Sequence, residues 1–284
     1  MSVEQAIVLA LIQGITEFLP ISSSGHLVLG SWLFGWPDQG LVFDAAVHLG
    51  TLAAVLVYFR ATWTALARCI LTGGRVNNNI GGDGPASITA GRLIALMVIG
   101  TIPIVIGGVL LKSTLENSLR TPEAVGFLLL GTSALLAAAE MFGRRTRRLA
   151  ETTPADSAFI GLAQVVALLP GISRSGTTMA AGMLSNMTRD AAARFSFLLA
   201  VPAIAGAGLF LMVDAATDGE FDGARWGLLA LAAAISFVTG LAAIAGLMRL
   251  LRTWSFKPFI LYALAAGTAV LVARALGAEM RLSA

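Results

Sequence analysis

The chain has 284 residues, of which 57% are hydrophobic and only 12% are charged. Because soluble domains carry about twice that charged fraction, the composition argues against a soluble enzyme and predicts a single integral membrane domain over residues 1–284, with a mean hydropathy of +0.83. The net charge of +3 comes from basic residues in loops, which argues against a nucleic-acid-binding surface, and the single cysteine, Cys69, excludes an intramolecular disulfide.

The first predicted element is a helical hairpin that does not cross the membrane. Residues 3–19 are apolar but stop at Pro20, and an apolar stretch resumes at 25–35. Each arm is too short for a hydrocarbon core of about 30 Å, which needs roughly 20 helical residues. Proline breaks a helix because it has no N–H to donate. We therefore expect a re-entrant hairpin whose polar tip, EFLPISSSGH, is buried in protein or faces water.

Longer apolar stretches predict transmembrane helices. They lie near residues 41–60, 88–112, 122–142, 190–213, 224–248 and 257–277. Between the third and the fourth, a second hairpin is predicted, because residues 157–169 stop at Pro170 and residues 176–188 resume after SRSG. The predicted fold class is an all-α polytopic membrane protein with six transmembrane helices and two re-entrant helical hairpins.

The charges of the loops predict the orientation. The basic segments 144–148 (RRTRR) and 249–257 are expected in the cytoplasm, as is the 61–87 loop with its arginines up to Arg75. The acidic connection 214–222 is expected outside. With six spans, both termini then lie outside, the first hairpin enters from the outside and the second from the inside.

The two hairpins belong to an internal repeat. At a shift of 151, residues 11–26 align with 162–177 without a gap, and both contain the pattern I-S-x-S-G. Each copy has one hairpin followed by three spans, and because three is odd the second copy is inverted relative to the first. We expect a first repeat in 1–150 and a second, inverted repeat in 151–284, with the site near the midplane where the two breaks face each other.

The polar tips predict an anion site. A short helix is expected to begin after the serines of each break, and the free N–H groups of a helix N-terminus bind phosphate. Arg174 adds a planar fork suited to phosphate oxygens, and a charge at membrane depth is costly without an anionic partner or a water-filled cavity. The hydroxyl groups of the tips are either further donors or simple helix N-caps. Together they predict a site for a group such as a diphosphate.

Glu17 and His26 each leave alternatives open. Glu17 pairs with Arg174, binds a divalent cation shared with phosphate oxygens, or acts as a base. His26 lies three residues after Ser23, so the two can share a helix face. It then takes or positions the Ser23 proton, or it is a structural hydrogen-bonding residue.

On the first full span, His48 and Asp44 lie one helical turn apart. They either line the cavity or pair with each other, and the sequence alone does not choose between these interpretations.

Two motifs carry a resemblance to a known family. With QGITEFLPISSSGH (13–26) and PGISRSGTT (170–178), the chain resembles the undecaprenyl-diphosphate phosphatase family, membrane enzymes linked to bacitracin resistance. The likeness covers nearly the whole chain. The Glu/Gln-x-x-x-Glu motif of the family is filled by Gln13 and Glu17. Because its first member is glutamine here, Glu17 is expected to carry most of the metal or acid–base work.

The resemblance also implies roles for the tip residues. It implies Ser23 as the nucleophile, His26 as its partner and Arg174 as the phosphate clamp. The predicted substrate-binding residues are Ser22, Ser24, Ser173, Ser175, Gly176 and Thr178. Direct attack by water is an open alternative to a nucleophilic serine.

The implied reaction is hydrolysis of a C55 polyprenyl diphosphate to the monophosphate and inorganic phosphate, which recycles the lipid carrier for cell-wall synthesis. The resemblance further implies a requirement for Mg²⁺ or Ca²⁺, bound by Glu17 and more weakly by Gln13. The expected location is the bacterial inner (plasma) membrane, with the active site facing the outside. A polyprenyl-phosphate transporter or flippase on the same scaffold is the alternative function, and homo-oligomerisation is left open.

Overall fold

The computed structural model describes residues 1–37, 39–74, 79–80, 87–118, 121–217 and 225–277. Within them the α-helices are, in chain order, α1 (Val3–Thr16), α2 (Ser23–Phe34), α3 (Leu41–Tyr58), α4 (Arg60–Leu71), α5 (Ala90–Ser118), α6 (Pro122–Phe142), α7 (Pro154–Val166), α8 (Arg174–Leu184), α9 (Arg189–Thr217), α10 (Trp226–Leu250) and α11 (Lys257–Ala275). Two short strands, β1 (Asn79–Ile80) and β2 (Ile88–Thr89), pair antiparallel, and a 3-10 turn spans Leu149–Glu151.

The long helices confirm the all-α polytopic membrane fold. Five of the described helices, α5, α6, α9, α10 and α11, are long and apolar enough to cross a membrane. A sixth crossing is available if α3 and α4 are counted together, although the pair bends by 85°. These elements coincide with the six predicted spans.

Helix α4 lies where the sequence predicted only a connecting loop. Its buried residues, Leu66 and Cys69, are three positions apart and therefore lie on one face. Arg60 and Arg68 are exposed. This segment is an amphipathic helix that is too polar to be recognised as a span. The expectations for Arg75 and for most of the acidic connection 214–222 fall outside the described residues.

The two short hairpins form at the predicted breaks. Helices α1 and α2 have 14 and 12 residues, and α7 and α8 have 13 and 11. At 1.5 Å per residue these helices are about 16–21 Å long, which is less than the hydrocarbon core. Because α1 contacts α2 and α7 contacts α8, each pair folds back on itself, as the sequence predicted.

Packing between the two halves of the chain is reciprocal. Helix α1 packs against α10, and α7 packs against α5; α3 meets α9, and α6 meets α11. Glycines permit the first two contacts, since a Cβ on Gly14 would lie 1.9 Å from Thr239 Oγ1 and one on Gly161 would lie 2.5 Å from the Gly100 carbonyl oxygen. The exchange of hairpins between halves agrees with an inverted repeat, whose boundaries at 1–150 and 151–284 stay a prediction.

Candidate active site

Glu17 lies at the centre of the site, at the end of α1 where the first hairpin breaks. Its carboxylate is buried and accepts three hydrogen bonds. Oε1 accepts one from Arg174 Nη2. Oε2 accepts one from Ser23 Oγ at 2.6 Å and one from Gln13 Nε2 at 2.9 Å. A buried carboxylate needs such donors because its desolvation is otherwise costly.

Arg174 brings the second hairpin to the first. It is the first residue of α8, and its side chain is 17% exposed whereas that of Glu17 is 6% exposed. Arg174 Nη1 also donates to the Ala200 carbonyl oxygen of α9 at 3.3 Å. A second link between the tips is formed by Ser175 Oγ, which donates to the Leu19 carbonyl oxygen at 3.0 Å.

Each tip presents the N-terminus of a helix. Ser22 caps α2, since its Oγ accepts a hydrogen bond from the Gly25 N–H at 3.3 Å. Ser173 caps α8 in the same way, accepting from the Gly176 N–H at 3.0 Å. Ser173 is held in place by its own N–H, which donates to Thr132 Oγ1 of α6 at 3.0 Å. The first turn of a helix carries free N–H groups and a partial positive charge, so two anion-binding ends meet here.

A cavity of about 200 Å³ opens between the tips. Its polar lining comes from both hairpins and from α3, and consists of Glu17, Ser22, Ser23, Ser24, His48, Ser173 and Arg174. The rest of the lining is apolar, with Ile104, Leu168 and Ile204 among its members. A small polar cavity beside apolar helices suits an anionic group attached to a hydrocarbon chain.

Comparisons with known proteins assign the family. The sequence model described as "Bacitracin resistance protein BacA" matches residues 6–269. The chain belongs to the BacA family. It is 44% identical over 270 residues to the undecaprenyl-diphosphatase of Alcanivorax borkumensis, which covers 94% of this chain and 97% of that protein. It is 42% identical to the protein of the same name from Hahella chejuensis (94% and 97%) and 43% identical to that from Geobacter sulfurreducens (95% and 98%).

The structure brings together most of the residues that sequence analysis assigned to this BacA-family site. Glu17, Ser23 and Arg174 form one hydrogen-bonded group. Ser22, Ser24 and Ser173 line the same cavity. The predicted roles of these residues in catalysis and binding stay predictions, but their convergence is a property of the fold.

The other predicted substrate-binding residues lie behind the cavity wall. The Ser175 hydroxyl donates a hydrogen bond to the Leu19 carbonyl oxygen. Thr178 Oγ1 is 2.8 Å from the Arg174 carbonyl oxygen and 2.6 Å from Ser196 Oγ. Gly176 packs tightly on Ser173, whose Cβ would lie 3.0 Å from a Cβ added there. In this BacA-family chain these residues hold the α8 end in place, and in this structure none of them faces the cavity.

Replacing Ser175 by alanine is therefore expected to affect stability more than chemistry. The variant removes one of the two donors of the Leu19 carbonyl, which keeps the Ile21 N–H at 2.7 Å, so the loss is about 0.5–1.5 kcal/mol of the free energy of unfolding. Phosphate release should fall far less than in Ser23→Ala. Thermal unfolding and turnover measured on the same purified samples check this. A Ser175→Ala protein with wild-type stability and background activity would instead show that the hydroxyl binds substrate.

His26 does not contact Ser23. Its Nδ1 is 2.7 Å from the Ser22 carbonyl oxygen, and its Nε2 is 2.7 Å from Tyr262 Oη on α11. The predicted Ser23–His26 pair is therefore not formed in this structure. The group that faces the Ser23 hydroxyl is the Glu17 carboxylate.

His48 is a residue of the cavity whose role the sequence alone does not determine. It lines the cavity from α3, and its Nε2 lies 4.0 Å from Glu17 Oε2. Its Nδ1 is 2.7 Å from the Asp44 carbonyl oxygen, while the Asp44 carboxylate accepts from Gln39 instead. The one signal in the sequence is a histidine within an apolar span, which is rare enough to mark a polar surface.

The donor set suits a hard divalent cation shared with a substrate. Gln13 Oε1 is buried and has no hydrogen-bond partner among the described residues, while the amide nitrogen of the same side chain donates to Glu17 Oε2 at 2.9 Å. Within the same part of the chain, no group of three or more His, Cys, Asp and Glu side chains could hold a metal. Mg²⁺ is commonly bound by one or two carboxylates completed by substrate phosphates and water, so the few oxygen donors present fit this mode.

Proposed function

We propose that this protein hydrolyses undecaprenyl diphosphate to undecaprenyl phosphate and inorganic phosphate, and so recycles the lipid carrier for cell-wall synthesis. The observation that carries the proposal is the Glu17 carboxylate, which holds Ser23 of one hairpin and Arg174 of the other in the lining of one cavity. The undecaprenyl-diphosphatases from three different bacteria share 42–44% identity with this chain over nearly their full length.

In the proposed first step, Ser23 Oγ attacks the terminal phosphorus of the diphosphate. Glu17 Oε2, 2.6 Å from that oxygen, takes the hydroxyl proton as the O–P bond forms. The bond between the phosphorus and the bridging oxygen breaks, and undecaprenyl phosphate leaves. Glu17 passes the proton it has taken to the departing undecaprenyl phosphate and is a carboxylate again. In the second step a water molecule attacks the phosphorus, Glu17 takes a proton from that water and returns one to Ser23 Oγ as the bond between Ser23 and phosphorus breaks, and inorganic phosphate leaves. Direct attack by water, oriented by the same carboxylate, is the alternative.

The remaining groups stabilise charge. Phosphoryl transfer depends mainly on positioning and on donors aimed at the transferring oxygens. Arg174 supplies a guanidinium that reaches the cavity, and the N-terminal turns of α2 and α8 supply N–H groups from both sides. The apolar part of the lining accommodates the first units of the polyprenyl chain.

A divalent cation, Mg²⁺ or Ca²⁺, completes the proposal. Glu17 and Gln13 Oε1 would hold it, and it would neutralise the negative charge of the diphosphate next to the carboxylate. The proposed location is the bacterial inner membrane with the site open to the outer face, which rests on the positive loops 144–148 and 249–257 being cytoplasmic. The transporter alternative gains no support from the relatives, which are named for diphosphatase activity.

The test is phosphate release from undecaprenyl diphosphate by the purified protein in detergent. Wild type and Ser31→Ala, a control on the same helix as Ser23, should turn over in the presence of divalent cation and lose activity with a chelator. Ser23→Ala should be at background. After rapid quenching, wild type should carry phosphate on a serine in the 22–24 segment. No phosphate release by wild type with any divalent cation would refute the proposed function.

A further inference from the structure

His26 lies between the first hairpin and a helix from the far end of the chain. On one side, its Nδ1 lies 2.7 Å from the Ser22 carbonyl oxygen. On the other, its Nε2 lies 2.7 Å from Tyr262 Oη. The two rings are nearly parallel, with an angle of 17° and a centroid distance of 5.6 Å. Both ring nitrogens are therefore occupied by partners that are not part of the reacting group.

The partners determine which nitrogen carries the proton. A carbonyl oxygen only accepts, so His26 Nδ1 must donate. In the neutral ring, Nε2 is then an acceptor, and Tyr262 donates its hydroxyl proton to it. If the ring is doubly protonated, Nε2 donates to Tyr262 instead. In neither state is a nitrogen left for the proton of Ser23, which already faces Glu17.

The Ser22 carbonyl that His26 binds belongs to a strained residue. Ser22 has a φ of +73°, although it is not glycine, and a residue held in such a region costs on the order of 1–3 kcal/mol. Its carbonyl also accepts from the His26 backbone N–H at 3.2 Å. Ser22 precedes Ser23 directly, caps α2 and lines the cavity. Whatever holds this peptide unit in place also aims the Ser23 hydroxyl.

We propose that Tyr262 and His26 are positioning residues that hold the strained Ser22 peptide and thereby orient Ser23 and the N-terminus of α2 towards the cavity. Tyr262 comes from α11 in the second half of the chain, whereas Ser22 belongs to the first hairpin. The hydrogen-bonded chain Tyr262–His26–Ser22 thus uses one half of the molecule to fix the reactive tip of the other. This inference rests on the proposed function for its kinetic consequence, but its geometry is measurable without substrate.

The first experiment replaces Tyr262 by phenylalanine, which removes only the hydroxyl and keeps the ring stacked on His26. Loss of one hydrogen bond that orients the nucleophile should lower kcat about three- to tenfold and leave KM nearly unchanged. The matched control is Tyr58→Phe, since Tyr58 is the other tyrosine of the chain and packs on Phe59. A Tyr262→Phe protein with wild-type kcat would contradict the proposal.

Nitrogen NMR of the substrate-free protein tests the geometry independently of turnover. The chain has two histidines, so a His48→Gln sample assigns the His26 signals. The proposal predicts a proton on His26 Nδ1 in wild type, and a shift of the Nε2 signal in Tyr262→Phe. A neutral His26 protonated on Nε2, or a spectrum that Tyr262→Phe leaves unaltered, would overturn it. If wild type released no phosphate, the proposed function would fail while the NMR result would still decide the geometry.

A pair of His26 variants separates positioning from proton transfer. The asparagine amide places an N–H donor near the position of Nδ1 but cannot take a proton. His26→Asn should therefore retain about tenfold more activity than His26→Ala, with both checked for folding by thermal unfolding. Equal loss in two folded variants, down to background, would assign His26 to proton transfer and contradict the positioning role.

Discussion

Replacing Arg174 by alanine is expected to lower kcat for phosphate release by about 10³–10⁵-fold, the range found for arginines that stabilise a transferring phosphoryl group. Arg174 reaches the cavity from the N-terminus of α8, and among the residues that the structure describes its guanidinium is the only arginine group in the lining of that cavity. None of the other described lining side chains carries a guanidinium that could replace its charge and its planar fork. Steady-state assays with undecaprenyl diphosphate measure the effect.

Two further variants interpret that result. Arg252→Ala removes an exposed arginine after α10 and should behave like wild type. Arg174→Lys keeps the positive charge beside Glu17 but loses the paired donors, so it should fold well and still be strongly impaired. Near wild-type kcat in a folded Arg174→Ala protein would remove Arg174 from the mechanism.

Replacing Glu17 by glutamine is expected to lower kcat by about 10²–10⁴-fold, because the variant loses the group that takes the Ser23 proton. Glutamine has nearly the same shape, so the cavity should keep its form. It carries no negative charge, however, and Arg174 is left without its ionic partner. The assay is the same as for Arg174, with the divalent-cation concentration varied in parallel.

The control for this variant is Glu4→Gln, since Glu4 lies exposed on the same helix. Breaking a buried ion pair from one side typically costs 3–5 kcal/mol of the free energy of unfolding, so thermal unfolding must accompany the kinetics. If Glu17→Gln remained folded and retained more than a tenth of wild-type kcat, another group would have to accept the proton.

The sequence predicted those parts of the fold that local physics controls. Helices α1 and α7 each end four residues before a proline, Pro20 and Pro170, and arms of this length cannot span a bilayer, so both hairpins were predictable. The shared I-S-x-S-G pattern made the meeting of the two tips predictable as well. Helix α4 was not predicted, because only two of its residues, Leu66 and Cys69, are buried and its exposed positions include arginines.

The details of the site depended on contacts that no local pattern reports. The spacing of His26 and Ser23 allowed a shared helix face, but the ring turns to Tyr262, which is 236 positions away. Ser175 and Thr178 have the same hydroxyl chemistry as the serines of the cavity. Their place behind its wall depends on the Leu19 carbonyl and on Ser196 of α9. His48 reaches the site because α3 packs beside the first tip, which only the assembled helices determine.

In the proposed mechanism, Glu17 and Arg174 come from separate hairpins and act as one catalytic unit. A double-mutant cycle on kcat/KM with Glu17→Gln, Arg174→Lys and the combined variant tests it most directly, provided that all of the proteins are folded. Residues that act as a unit are strongly non-additive. We therefore expect the combined variant to be about as impaired as the worse single variant. A combined loss equal to the product of the two single losses would contradict it.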